Sequence, residues 1–105
     1  MPYEEIVTML GGMGLPFAYH HYAEGESPEP PFLIYLSPGS DNFSADGKVY
    51  FKVKQLDVEL YTDKKMPELE ERLEAIFDRY GLFYEKNESY IESEKLYEVL
   101  YEMEV

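Results

Sequence analysis

His20 and His21 are the only histidines in the chain, and either one, with Asp41 or Asp46 from the following segment, could offer an imidazole and a carboxylate to a metal ion. The surrounding FAYHHY reads as a strand, in which neighbours point to opposite faces, so the two rings do not converge on one ion. Asp41, Asn42, Asp46 and Gly47 have the oxygen-ligand types of a calcium loop, but the glutamate that closes such a loop is missing, and the same residues build turns without any ion. Carboxylate pairs such as Glu70 with Glu74 could work as general acid and base. With 22 Asp and Glu among 105 residues, however, no pair stands apart from a solvated acidic surface. The absence of cysteine removes thiolate nucleophiles, disulfides and Cys-type zinc sites. The 11 tyrosines could form a stacking platform for bases, but such platforms lie in basic grooves, and the composition opposes one. The residues point to no catalytic centre, no cofactor and no metal, and the expected class is a non-enzyme.

The charge balance narrows the partners. Nine Lys and Arg against 22 acids leave a net charge of −13. Nucleic-acid affinity comes from cations that displace counterions on phosphates, so direct nucleic-acid binding and anionic membranes are both disfavoured. A hydrophobic fraction of 45% with 16% aromatics is nonetheless too rich for a disordered acidic tail. The size suits a single domain over residues 1–105, with a folded surface of about 6,100 Å². The opening MPYEEIV lacks the basic and apolar segments of a signal peptide, and no apolar run approaches a membrane span, so a cytoplasmic address is expected.

Periodicity supplies the elements. Tyr3, Ile6, Val7 and Leu10 fall at helical spacing, with Glu4 and Glu5 in the first turn and Gly11 and Gly12 as stops. Phe17 to Tyr22 reads as a strand, Ala23 to Pro31 as a stiff connector, Phe32 to Leu36 as a buried strand and Ser40 to Gly47 as a turn. From Val49 to Tyr61 the apolar positions alternate, odd through Val53 and even from Leu56. That phase flip predicts one long strand bent by a β-bulge at Lys54 and Gln55, with Phe51, Val53, Leu56, Val58 and Leu60 facing one core. Leu69, Leu73, Ile76, Phe77 and Tyr80 form the stripe of an amphipathic helix over 67–80, with Glu68 and Arg72 as an i,i+4 pair. Leu82 to Lys86 then reads as a strand and Asn87 to Ser89 as a turn. The tail from Tyr90 satisfies both periods; its alternation at Tyr97, Val99, Tyr101, Met103 and Val105 favours a strand. The expected fold is α+β: one small, mainly antiparallel or mixed sheet with a long bent strand, flanked by a short N-terminal helix and the helix over 67–80.

The segments PFAYHHYAEGESPEPPFLIYL, VELYTDKKMPELEERLEAIFDRYGLFYEK and YIESEKLYEVLYEMEV resemble a family of small acidic proteins encoded in the structural-gene clusters of long-tailed phages and prophages of Gram-positive bacteria. The resemblance covers nearly the whole chain and carries no catalytic or ligand signature. It implies a minor-capsid-type structural protein, a tail terminator or head-tail joining subunit. Such a subunit forms a ring with itself, possibly a hexamer, between tail-tube and head-connector proteins. It also implies a place in the virion after assembly in the host cytoplasm. Genome DNA would pass through that ring without being bound, since carboxylates repel phosphates. The other reading of the acidic composition is a DNA-mimic inhibitor, or another small protein-binding domain.

Within a ring, two segments fit an isolated monomer poorly and form the candidate interface: the loop carrying Asp41, Asn42 and Phe43, and the connector with Pro28, Pro30 and Pro31. They flank one short strand and are expected to project from one region of the sheet.

Overall fold

A computed structural model describes the backbone of residues 1–45 and 48–105, and the side chains of 1–40 and 53–105. The element order is α1 (Tyr3–Gly11), β1 (Phe17–Tyr19), β2 (Phe32–Leu36), β3 (Ser40–Ala45), β4 (Lys48–Thr62), α2 (Pro67–Arg79), β5 (Tyr84–Ile91) and β6 (Leu96–Glu104). The protein is an α+β domain whose mixed sheet runs β1-β2-β4-β6-β5, with β3 paired to β4 off that path. β1 lies parallel to β2, and the other pairings are antiparallel.

Strand alternation puts Leu33 and Tyr35 of β2, Leu56, Val58 and Leu60 of β4, and Val99, Tyr101 and Met103 of β6 on one face. Both helices close over that face. Ile6, Met9 and Leu10 of α1 join Leu69, Leu73, Ile76 and Phe77 of α2 in a single buried cluster with those strand residues. Pro67 starts α2 with no orphaned N–H to satisfy, and Gly81 ends it. Gly81 takes φ +69, its N–H donates to Asp78 O, and Leu82 N–H reaches back to Phe77 O, a Schellman closure that needs a left-handed residue at that position. Tyr80, expected in the stripe, is the C-cap and lies exposed. Arg72 turns from Glu68 toward the end of α1, donating to Met13 O at 3.2 Å. Among the described residues no helix is long and apolar enough to cross a membrane.

β4 is one strand of 15 residues, as the phase flip requires, and Leu56, Val58 and Leu60 are buried. Val53, expected to share that core, is half-buried on the opposite face, because β4 has no extra residue between it and Leu56; Phe51 lies outside the described side chains. The bulge itself is corrected. Leu36 pairs with Asp57 and Ser40 with Lys54, so Ser37 to Gly39 stand opposite only Gln55 and Leu56, and the extra residue belongs to the partner arm. Pro38 has no N–H for the ladder there. Ser37 Oγ donates to Gln55 O at 2.7 Å, and Gln55 N–H donates to Gly39 O at 2.9 Å. A second shift, with Phe43 opposite Phe51 and Ser44 opposite Val49, leaves Tyr50 as an extra residue on β4 itself.

Three further expectations give way. Ser40 to Ala45 is strand despite its turn composition, because the unpaired half of β4 offers it a full antiparallel ladder; residues 46 and 47 of that expected turn lie outside the description. Asn87 to Ser89 sit inside β5 rather than in a turn, held by pairing to Leu100, Val99 and Glu98. The reversal falls later, where Glu94 N–H reaches Ile91 O and Lys95 takes φ +54, so Tyr90 and Ile91 belong to β5. β1 stops at Tyr19 because His20 adopts φ +67.

Beyond Gln55, β4 leaves β6 and continues with β3 alone as a two-stranded ribbon. The radius of gyration is 15.0 Å, against about 13 Å for a compact chain of this length. The longest extent is 49 Å, close to the roughly 50 Å that 15 extended residues span. The core should depend on the α2 stripe: Leu73→Ala or Phe77→Ala, at positions with no exposure, is expected to cost about 2–5 kcal/mol in urea unfolding. A loss below about 1 kcal/mol at both sites would contradict that packing.

Candidate functional site

Helices cover only one side of the sheet, and the charges are sorted between the two. Beneath α2, Glu70 and Glu74 stand one turn apart beside the apolar stripe and face β5 and β6. Lys65 donates to Glu70 at 2.6 Å and also pairs with Glu88; Lys86 bridges Glu70 at 2.9 Å and Glu74 at 2.8 Å. Tyr101, fully buried, donates to Glu74 at 2.7 Å, and burial together with that carboxylate drives its pKa up. Burial alone would raise the pKa of Glu70 and Glu74, but the hydrogen bonds to Glu70 from Lys65 and Lys86, and to Glu74 from Lys86 and Tyr101, outweigh it and hold both carboxyls below the usual range. Lys86 is pushed up to about 12, its two carboxylate partners overcoming the desolvation that would lower it. Glu70 and Glu74 are therefore occupied anions that tie α2 to the sheet, and neither is placed to trade protons with a substrate.

The opposite face carries Asp57 and Glu59 from β4, Glu98, Glu102 and Glu104 from β6, and Glu85 from β5. Among the described residues, these strands supply no Lys or Arg to it. Asp57 stands directly opposite Glu102, which stands directly opposite Glu85, a row of three carboxylates across three strands. Like charges in register destabilise a sheet. Burial first, then Glu102, raises the pKa of Asp57; burial first, then Glu98, raises that of Glu59, against a hydrogen bond from Tyr61 Oη at 3.1 Å. The row borders an open hollow of about 520 Å³ lined also by Gln55 and by Phe83, which is 85% exposed. No known family model matches the chain, and no curated protein is significantly similar to it.

The connector packs back over the start of this face. Tyr22 meets Phe32 edge-on at 5.4 Å, Phe32 stacks on Tyr61 at 5.1 Å, and Pro28, Pro30 and Pro31 are half-buried. Pro30 and Pro31 lead into Phe32 at one end of β2, whereas β3 departs beyond Leu36 at the other. The proline group and the Asp41–Phe43 group are thus not brought together. Asp41, Asn42 and Phe43 lie in β3 opposite Val53, Lys52 and Phe51, and their side chains fall outside the described residues. His20 and His21 do not point to opposite faces. The left-handed backbone of His20 breaks the alternation and brings the rings edge to edge, with Nδ1 to Nδ1 at 3.0 Å. No group of three metal-ligating side chains converges among the described residues.

The acidic face was readable only in part. Glu98, Glu102 and Glu104 alternate with apolar residues in the tail, but their meeting with Asp57 and Glu85 depends on strand order, which no local signal encodes.

Opposite pH responses follow. Asp57 and Glu59 hold protons more tightly folded than unfolded, so their contribution to stability improves as pH falls from neutral toward the ordinary carboxylate range. Glu70 and Glu74, with lowered values, stabilise above that range and lose their contribution as pH falls through their folded pKa values. The thermal midpoint should therefore rise from pH 7 to about 5 and fall below about 4. Asp57→Asn combined with Glu59→Gln should raise the pH 7 midpoint and flatten the rise. A midpoint that only falls from pH 7 downward would contradict this assignment.

Proposed function

We propose that this chain is a structural subunit of a homo-oligomeric ring in a phage or prophage virion, a tail terminator or head-tail joining protein that contacts tail-tube and head-connector proteins. The observation that carries this reading is the β3–β4 ribbon. A two-stranded ribbon is at best marginally stable alone, and one that continues a core strand outward is an arm suited to a neighbouring subunit. The resemblance of nearly the whole chain to structural proteins of phage gene clusters supplies the setting. The acidic balance suits an assembly through which DNA moves without sticking.

A second reading, an acidic mimic of nucleic acid that occupies a nuclease or repressor, is favoured by the six carboxylates gathered on one sheet face. Gene disruption separates the two. Loss of the gene from its phage or prophage should leave filled heads and free tails that do not join, or tails of uncontrolled length, with joining restored by a copy supplied in trans. Joined, infectious particles at normal yield would refute the structural role.

A further inference from the structure

β5 ends the path β1-β2-β4-β6-β5, and it pairs with β6 in unbroken register from Tyr84 to Ile91. Among the described residues no strand pairs with its other edge, and Glu85 to Tyr90 are exposed whichever face they stand on. Alternate backbone N–H and C=O groups therefore point outward along an open edge of eight residues, with no proline, glycine or bulge to blunt it. The strand at the other end of the path, β1, is only three residues long and stops at the left-handed backbone of His20.

The order of side chains along this edge is self-complementary. A two-fold antiparallel pairing that keeps the helices of both copies on one side of the joined sheet sets even positions against even and odd against odd. With Asn87 on the axis, Lys86 faces the partner's Glu88, Glu85 faces the partner's Ser89, and Tyr84 faces the partner's Tyr90, each contact being made twice. The two lysines and two glutamates next to the axis then alternate in sign, with unlike charges directly opposite. Moving the axis one residue either way would set Lys86 against the partner's Lys86, or Glu88 against the partner's Glu88, so charge selects the register. Both groups have capacity left for the contact. Lys86 spends two of its three N–H donors on Glu70 and Glu74, and Glu88 receives Lys65 on one carboxylate oxygen. The same register covers apolar surface: Phe83, 85% exposed, comes opposite the partner's Ile91, and Tyr90, 48% exposed, opposite the partner's Tyr84.

We propose that β5 pairs antiparallel with β5 of a second copy about a two-fold axis at Asn87, joining two sheets into one. The contact is isologous and closes at two copies. It makes no use of the β3–β4 ribbon, so it stands or falls apart from the ring reading.

Cross-linking of the full chain tests the register, since the sequence has no cysteine of its own. Asn87→Cys should form a disulfide-linked dimer under mild oxidation, because directly opposed Cβ atoms lie about 4.5–5.5 Å apart. Glu85→Cys and Ser89→Cys should each link poorly alone, their copies being offset by about 14 Å along the strands, and should link to one another when mixed, with at least about tenfold higher yield. In sedimentation velocity the wild-type chain should show a monomer–dimer equilibrium at concentrations up to about 1 mM. Glu88→Lys sets like charges opposite each other at both contacts and should weaken dimerisation about tenfold, with the far-ultraviolet circular dichroism unchanged. If that variant disturbs the fold, the three cysteine variants, at exposed positions, decide alone. Wild-type protein that stays monomeric, Asn87→Cys that does not link, a Glu85→Cys and Ser89→Cys mixture that links no better than either alone, or a folded Glu88→Lys that dimerises normally would overturn the proposal. The gene-disruption phenotype can be present or absent in any of these cases, so failure of the edge contact and failure of the virion role are told apart.

Discussion

β4 is longer than any strand available to pair with it, and most of the architecture follows from that mismatch. Its second half sits between β2 and β6 and presents Leu56, Val58 and Leu60 to both helices. Its first half has outrun β6, which pairs no further than Gln55, and only the returning segment from Ser40 to Ala45 is left to satisfy its backbone groups. A polar segment of turn composition becomes strand because the alternative leaves a row of N–H and C=O groups without partners. The extra residue at Ser37 to Gly39 lets one arm serve both halves, pairing Leu36 with Asp57 and then Ser40 with Lys54.

The second constraint is that two helices in a chain of 105 residues cover one face of the sheet and not both. Apolar strand positions are spent on the covered face. The charge that must enter that side, Glu70 with 3% exposure, is met by two lysines and tied to β5. Breaking such a partly buried network costs more than breaking surface pairs, because one charge is left desolvated. On the other face Tyr22 packs on Phe32, and Asp57, Glu59, Glu98, Glu102, Glu104 and Glu85 gather farther along it. A sheet bearing Asp57, Glu102 and Glu85 in one row tolerates cross-strand repulsion that ordinary surface design avoids by alternating sign.

Legibility in the sequence tracked the range of the interactions. The stripe Leu69, Leu73, Ile76 and Phe77 with Pro67 and Gly81 delimits α2 because caps and periodicity are local. The alternation at Val99, Tyr101 and Met103 reveals β6 for the same reason. β3 was hidden, since Ser40, Asp41 and Asn42 have turn preferences that only the pairing with β4 overrides. Asn87 and Ser89 misled in the same way on β5. The bulge inferred at Lys54 and Gln55 is absent from β4: the apolar positions before and after it face opposite sides of the strand, and the extra residue at Ser37 to Gly39 lies in a segment whose alternation gave no sign of it. For the candidate surface, the acidic positions of β6 were visible one by one, while their assembly into a row required the order β4-β6-β5. The interior pairing of Glu70 and Glu74 with Lys65 and Lys86 was obscured by the abundance of other acids.

The central claim is that, among the described residues, the first half of β4 is paired by β3 alone, whereas its second half lies between β2 and β6. Amide hydrogen exchange, resolved along the chain, tests it most directly. In the monomer, residues 48–54 should exchange orders of magnitude faster than residues 55–62 of the same strand, and in the assembled state the two halves should approach equal protection. Protection of 48–54 that is already as high as that of 55–62 in the monomer, or that does not change on assembly, would contradict the account.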